Sequence, residues 1–257
     1  MIKGIDCNTK LSYEIACRIF LMGYNFAMRY IGRNTMANHD IDIIEKNNIL
    51  NAGLDLGLVQ HCPGKSGIIP SKEIGIKWGA NAREFSKQVE YEQGKIVYLD
   101  LENVNIEYKT KQDLIYDYCS YWYQEVYKFF TPGIYIGFNN FMSSQQLYFK
   151  LPFKDYWRAC SPVPEIYKRG YAMIQKVHAA IFGIPIDENI VTGDRLGRFP
   201  AFMKGKVIVD PKKDIRNAAK KILKEEAGMD LNYWDQQKYF DEFAYKLGVM
   251  FQKWGKI

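Results

Sequence analysis

Residues 95–103 read KIVYLDLEN, an apolar and β-branched run that ends in two carboxylates, Asp100 and Glu102. Side chains two positions apart in a strand point to the same face. One face of this strand is therefore wholly apolar and predicted to be buried, whereas the other carries both acids at its C-terminal end. Two adjacent carboxylates cost desolvation and mutual repulsion, so the pattern favours a functional role.

The segments on either side of this strand alternate between short apolar runs and helical patterns. Five strands and four helices alternate before residue 140, which predicts parallel strands joined by right-handed crossovers. A short helix near residues 142–149 and three further strands with little helix between them follow. The predicted strands are 2–7, 25–31, 56–62, 95–103, 133–139, 156–161, 171–178 and 182–191, and the predicted long helices are 11–22, 39–50, 71–90 and 113–130.

Eight strands in this order predict an α/β fold, a TIM-like barrel with five β/α units and three final strands with little helix between them, plus C-terminal helices. An open doubly wound sheet is the alternative. No glycine-rich phosphate loop follows the first strand, which argues against a nucleotide-binding version of that sheet. We assign residues 1–205 to the barrel and residues 206–257, where the composition becomes rich in Lys and Glu, to a helical appendage.

The composition limits the partners and the compartment. The 257 residues are 47% hydrophobic, which is enough for a sizeable core. The net charge is +6, but no block of basic residues interleaved with aromatic residues is present, so nucleic-acid binding is not expected. The five cysteines are scattered and odd in number, which fits a reducing compartment. The sequence shows no apolar run of membrane-spanning length and no signal peptide, so we expect no insertion into a membrane. We expect synthesis in the cytoplasm. Any release would use phage-type lysis or a dedicated secretion system.

Four acids fall at or near predicted strand ends: Asp6, Asp100, Glu102 and Asp187. Chemistry in a closed parallel barrel occurs at the carboxyl ends of the strands. The first and last strands are neighbours in such a barrel, so Asp6 and Asp187 are expected to approach each other, with strand four across the mouth. The alternative is that Asp6 caps the first helix and Asp187 faces solvent.

Clustered carboxylates serve glycosidic cleavage, metal-assisted hydrolysis or aspartic-type proteolysis. His61 and His178 also lie near strand ends, but no HExxH or clustered His/Cys spacing accompanies them, so no metal and no other cofactor is predicted. Aromatic and amide groups at the same ends, Tyr30 among them, are typical of sugar-binding clefts. The predicted substrate-binding residues are Arg29, Gln60, Tyr135, Asn139, Trp157 and Gln175.

Several short motifs together resemble a known family. The GID of residues 4–6, the D-L-E of residues 100–102, the GIYIG of residues 133–137 and the I-D-x-N-x-x-x-G-D of residues 186–194 resemble family 25 glycoside hydrolases, lysozymes that cut the muramic acid to glucosamine linkage of peptidoglycan. The segments GYNFAMRYIG and NAGLDLGLVQ are more similar to related domains of unknown function called glycoside-hydrolase-like. The resemblance covers about residues 1–205.

This resemblance implies a division of labour among the four acids. Glu102 would be the general acid, Asp100 would hold charge near the sugar, and Asp6 and Asp187 would tune and position the site. The expected function is a peptidoglycan hydrolase of muramidase type that needs no cofactor, with cell-wall glycan as its partner. A non-catalytic glycan-binding barrel and a metal-dependent hydrolase are the alternatives.

Overall fold

The computed structural model describes residues 2–64 and 67–206. Within these ranges eight strands close into a barrel in chain order, which confirms the predicted TIM-like α/β fold. The predicted C-terminal helices lie outside the described residues, so the appendage remains a prediction. The strands are β1 (Ile2–Asp6), β2 (Phe26–Ile31), β3 (Asp55–Gln60), β4 (Ile96–Leu101), β5 (Thr131–Ile136), β6 (Asp155–Arg158), β7 (Met173–Ile181) and β8 (Ile184–Val191), and the helices are α1 (Tyr13–Leu21), α2 (Ile43–Asn51), α3 (Lys72–Gln88), α4 (Gln112–Tyr127) and α5 (Ser144–Phe149), with a short 3-10 helix at Ile106–Tyr108.

The last strand departs from the expected parallel arrangement. Neighbouring strands from β1 to β7 pair in parallel, whereas β8 runs antiparallel to both β7 and β1. The connection between β7 and β8 is the two-residue turn Phe182–Gly183, and both residues have positive φ angles. Such a turn matches the twist of a β-hairpin and forces the chain to reverse.

Side-chain caps fix where several helices begin. Ser12 accepts a hydrogen bond from the first turn of α1, and Ser71 does the same for α3. Asp42 accepts the N–H of Glu45 at 2.8 Å, so α2 begins at Ile43 rather than at the predicted residue 39. An N-cap carboxylate satisfies N–H groups that the first turn of a helix leaves without partners.

Strand β4 shows how the two faces of the barrel wall are used. Val97, Leu99 and Leu101 pack outward in the layer between sheet and helices, whereas Ile96 and Tyr98 belong to an aromatic-rich cluster inside the barrel. All six residues of β4 are buried, which confirms the predicted apolar face. A strand covered on both faces is the norm in parallel barrels because helices cover the outside.

The amino end of the barrel is closed by residues 200–206. Phe202 stacks on Phe26 at 4.6 Å between ring centroids, and Met203 pairs with Leu56 through backbone hydrogen bonds in both directions. The interior is thus filled from below, and space for a ligand remains at the carboxyl end. Among the described helices, none has the length and apolarity needed to cross a membrane.

Candidate active site

A cavity of about 290 Å³ opens at the carboxyl end of the barrel. Its volume is near the lower end of the range for small-molecule sites. Three of the predicted acids, Asp100, Glu102 and Asp187, lie in its wall, and Asp6 lies behind Gln175, one of the wall residues. The remaining wall residues are Tyr30, Val59, Tyr135, Phe138, Trp157, Ala159, Cys160, Ser161 and Gln175.

Asp6 and Asp187 form one pair of acids. They are directly opposite in the antiparallel register of β1 and β8. The amide nitrogen of Gln175 donates to one oxygen of each acid, both at 3.1 Å. Asp187 therefore reaches the mouth from the first half of β8, because that strand is antiparallel, and not from a carboxyl-terminal strand end as expected.

Asp6 is held by three donors in a nearly dry environment. It is 1% exposed and accepts hydrogen bonds from Tyr30 (2.9 Å), Asn189 (2.7 Å) and Gln175. Burial raises the pKa of Asp6 to about 6, aided by the charge of Asp187 and opposed by the three hydrogen bonds. This carboxyl therefore gains a proton at a much higher pH than an exposed Asp does.

The raised pKa of Asp6 predicts a specific pH dependence of stability. The folded state binds the proton more tightly than the unfolded chain, so the stabilising contribution is present below pH 3.8 and is lost as the pH rises through about 6. Asp6→Asn removes this titration. The free energy of unfolding of the variant minus that of the native protein should rise by up to about 3 kcal/mol across this interval. Urea unfolding at a series of pH values measures it, and a difference that stays constant with pH would contradict the assignment.

Asp100 and Glu102 form the second pair, and Cys62 connects them. The backbone N–H of Cys62 donates to Asp100 Oδ2 at 3.0 Å, and its thiol donates to Glu102 Oε1 at 3.4 Å. An oxygen of Asp100 and an oxygen of Glu102 lie within 4.8 Å of each other. Oδ1 of Asp100 has no hydrogen-bond partner among the residues that the structure describes.

Burial is the main cause of the altered acidity of this pair. It raises the pKa of Asp100 well above the usual range, and the charge of Glu102 raises it further. Burial also raises the pKa of Glu102, as does the charge of Asp187, whereas the thiol of Cys62 lowers it. The pair consequently retains a proton at a pH where two exposed carboxyls have both lost theirs.

Gly137 provides the room for Glu102. Gly137 follows β5 directly, and a Cβ placed on it would overlap the Cβ and carboxylate of Glu102. Any other residue at this position must displace the carboxyl from its place in the cavity wall. The position of Glu102 thus explains why the second glycine of the GIYIG motif has no side chain.

Two aromatic residues hold the amides that bond Asp6. The Tyr135 hydroxyl donates to Gln175 Oε1 at 2.9 Å, and Trp157 donates to Asn189 Oδ1 at 2.9 Å. The rings of Tyr135 and Trp157 meet edge to face at 4.7 Å. Burial and the charges of all four acids raise the pKa of Tyr135, so its hydroxyl remains a proton-bearing donor.

Three of the predicted substrate-binding residues do not line the cavity. Tyr30 and Val59 face the interior, so their neighbours Arg29 and Gln60 face the helices. Arg29 is fully buried and its Nε lies 2.6 Å from Glu45 of α2. Gln60 donates to the backbone of Gly32 and Trp78 and accepts from Trp122. Asn139 is exposed beyond the end of β5.

The structure also adds residues to the predicted set. Cys62 lies at the end of the predicted third strand, a position that the strand-end argument could have flagged. Asn189 belongs to the I-D-x-N motif and bonds both Asp6 and Trp157. Tyr30, already among the aromatic groups predicted at the strand ends, supplies a hydroxyl to Asp6 and a ring to the cavity wall.

Solved structures of low sequence identity share the fold of this chain. The Tat-secreted protein Rv2525c of Mycobacterium tuberculosis is 15% identical, with 78% of this chain and 98% of that chain covered and a TM-score of 0.59. An uncharacterized Bacillus stearothermophilus protein is 15% identical (75% and 96% covered, TM-score 0.54). A family 25 glycosyl hydrolase from Bacillus anthracis is 15% identical (76% and 91% covered, TM-score 0.51).

The sequence itself carries a family signature that agrees with the fold. No match was found among curated proteins. The profile of the Rv2525c-like, glycoside hydrolase-like domain matches residues 19–191, which span β2 to β8 and most of the cavity wall. This confirms the resemblance to glycoside-hydrolase-like domains. The chain belongs to the Rv2525c-like family of glycoside hydrolase-like domains.

Proposed function

We propose that this protein is a peptidoglycan hydrolase of muramidase type that cleaves a glycosidic bond by carboxylate acid/base catalysis. The observation that carries the proposal is the pair Asp100–Glu102, two carboxyls with raised pKa values in the wall of an open cavity. Glycosidic cleavage needs one carboxyl that keeps a proton near the working pH and another group that stabilises developing positive charge. A second acid pair, Asp6–Asp187, lies beside it and would position the site.

Glu102 is the proposed proton donor. It lies in the cavity wall and is half-buried, whereas Asp100 is only 7% exposed. The more accessible carboxyl is the one that a glycosidic oxygen can approach. Asp100, which has an oxygen within 4.8 Å of one of Glu102, would hold charge near the sugar and stabilise the positive charge that develops on it.

The cavity wall offers surfaces that suit a sugar. Tyr30, Tyr135, Trp157 and the half-exposed Phe138 present aromatic rings, and Gln175 presents an amide. Sugar rings have apolar CH faces that pack on aromatics and hydroxyls that bond to amides and carboxylates. Because peptidoglycan lies outside the cytoplasmic membrane, this function requires the protein to reach the outer side of that membrane.

Incubation with purified, insoluble peptidoglycan followed by sedimentation tests the proposal. A muramidase releases soluble muropeptides into the supernatant in an amount that grows with time. A protein that sediments with the wall but releases nothing would instead be a glycan-binding barrel and would overturn the catalytic proposal. Release that stops in the presence of a chelator would favour a metal-dependent hydrolase.

Cys62→Ala should shift the pH profile of the reaction. The thiol lowers the pKa of Glu102, so its removal raises that pKa further. A general acid works only while protonated, and the alkaline limb of the activity profile should therefore move to higher pH. Cys160→Ala is the matched control, since Cys160 also lines the cavity but reaches Gln175 through its backbone N–H. Identical limbs in the native protein and Cys62→Ala would show that the thiol does not tune the donor.

A further inference from the structure

A second cluster of ionisable side chains lies beside the barrel mouth, outside the carboxylate cavity. Asp40 and His39 belong to the loop between β2 and α2, and His61 directly follows β3. Nε2 of His61 lies 3.0 Å from Asp40 Oδ1, and Nε2 of His39 lies 3.8 Å from the same oxygen. One ligand atom from each residue falls within 4.8 Å of the other two.

Asp40 is fixed as the inner member of this cluster. It is 2% exposed, and its other oxygen, Oδ2, accepts the N–H of Ala37 at 2.7 Å, which directs Oδ1 towards both imidazoles. The carboxylate is therefore already oriented towards both imidazoles.

The spacing fits a small metal ion. Zinc–nitrogen and zinc–oxygen bonds of about 2.0–2.2 Å in a tetrahedron place neighbouring ligand atoms roughly 3.3–3.6 Å apart. The two separations at Asp40 Oδ1 lie on either side of that range, so small side-chain rotations bring all three ligands into place. The side chains of His61 and His39 are 24% and 48% exposed, which leaves the fourth direction open to solvent.

We propose that His39, Asp40 and His61 bind a divalent first-row transition metal ion, with Zn²⁺ as the best fit and water in the open position. Two imidazoles and one carboxylate suit zinc and disfavour Mg²⁺ and Ca²⁺, which prefer oxygen ligands. The guanidinium of Arg33, which approaches the backbone oxygen of His61 at 3.4 Å, is the nearby positive charge that Asp40 must offset.

Such a site would brace the rim of the active-site cavity. The ion would tie the β2–α2 loop to the end of β3, and Tyr30 stacks on His61 at 4.4 Å between ring centroids. The hydroxyl of Tyr30 in turn bonds Asp6. The proposal concerns binding alone and holds whether or not the cavity is catalytic.

Isothermal titration calorimetry of the untagged full-length chain with Zn²⁺, in a non-chelating buffer with a thiol-free reductant, tests this site. Saturable binding of one ion per chain is expected. His39→Ala should weaken that binding by at least about 100-fold, since loss of even an outer-shell partner costs 10- to 100-fold. His39 is half exposed and should be removable without loss of the fold, which the thermal unfolding curve of the metal-free variant checks.

Matched controls distinguish binding at this site from binding at a thiol or at the remaining histidine. Cys62→Ser removes the soft ligand of the other candidate cluster, Cys62–Asp100–Glu102, and His178→Ala removes the third histidine of the chain. Both variants should bind Zn²⁺ as the native protein does, and Zn²⁺ should raise their unfolding temperature but not that of His39→Ala. Absence of saturable binding, or binding that His39→Ala leaves intact, would overturn the proposal.

Discussion

Glu102→Gln is expected to lower kcat on peptidoglycan by about 10²- to 10⁴-fold, the usual contribution of a general acid. The amide has the shape of the carboxylic acid but cannot deliver a proton to the leaving oxygen. Since Glu102 is half-buried and Gln retains a hydrogen-bond acceptor for Cys62, the fold should be preserved. Release of soluble muropeptides per unit time, with far-UV circular dichroism as a check of folding, measures the effect.

Glu107→Gln is the matched control for this variant. Glu107 lies in the 3-10 helix that follows β4, is exposed and is not part of the cavity wall. Glu107→Gln removes the same charge from the same end of the barrel. It should leave kcat within about twofold of the native value, because Glu107 makes no contact with the reacting atoms. Equal activity of the native protein and Glu102→Gln would remove Glu102 from the mechanism.

Arg29→Met is expected to lower the free energy of unfolding by about 3–5 kcal/mol, the usual cost of leaving one buried charge without its partner. Arg29 is fully buried against Glu45, and it also donates to the backbone oxygens of Cys7 and His39. The variant would leave the Glu45 carboxylate without its charged partner. This carboxylate is 2% exposed and also accepts the N–H of Leu11. Chemical denaturation measures the loss.

Two further variants make this stability prediction specific. Arg29→Met combined with Glu45→Leu replaces both charges by apolar side chains and should recover part of the loss. Lys10→Met breaks a half-exposed pair with Asp42 and should cost less than about 1 kcal/mol. A loss for Arg29→Met that is no greater than for Lys10→Met would refute the structural role and reopen a role in substrate binding.

The order of helices and strands is predictable from the sequence. In some strands, however, the sequence does not show which side chains point into the barrel and which point towards the helices. The period of KIVYLDLEN separates acids from apolar residues, so Asp100 and Glu102 could be assigned to the cavity side. Strand β2 offers no such contrast, since five of its six residues are buried and both faces are covered. Both Arg29 and Tyr30 are therefore predicted at the cleft, although only Tyr30 lines it.

Three other features depend on tertiary contacts that no local pattern encodes. Asp187 was expected at the mouth for the wrong reason, because the reversal at Phe182–Gly183 makes β8 antiparallel and brings the first half of that strand to Asp6. The contact of the Cys62 thiol with Glu102 joins residues 40 positions apart in the chain. The proposed metal ligand His39 lies in a loop and not at the end of a strand, so its position relative to the site is not predicted by the strand pattern.

The mass of the reducing ends produced from purified peptidoglycan identifies the bond that is cut. After digestion and borohydride reduction, a muramidase gives muropeptides that end in reduced muramic acid. We expect these products from the native protein and a much lower yield from Glu102→Gln. Products that end in reduced glucosamine would assign the cut to the other glycosidic bond. Intact glycan strands after prolonged incubation with folded native protein would show that this protein is not a muramidase.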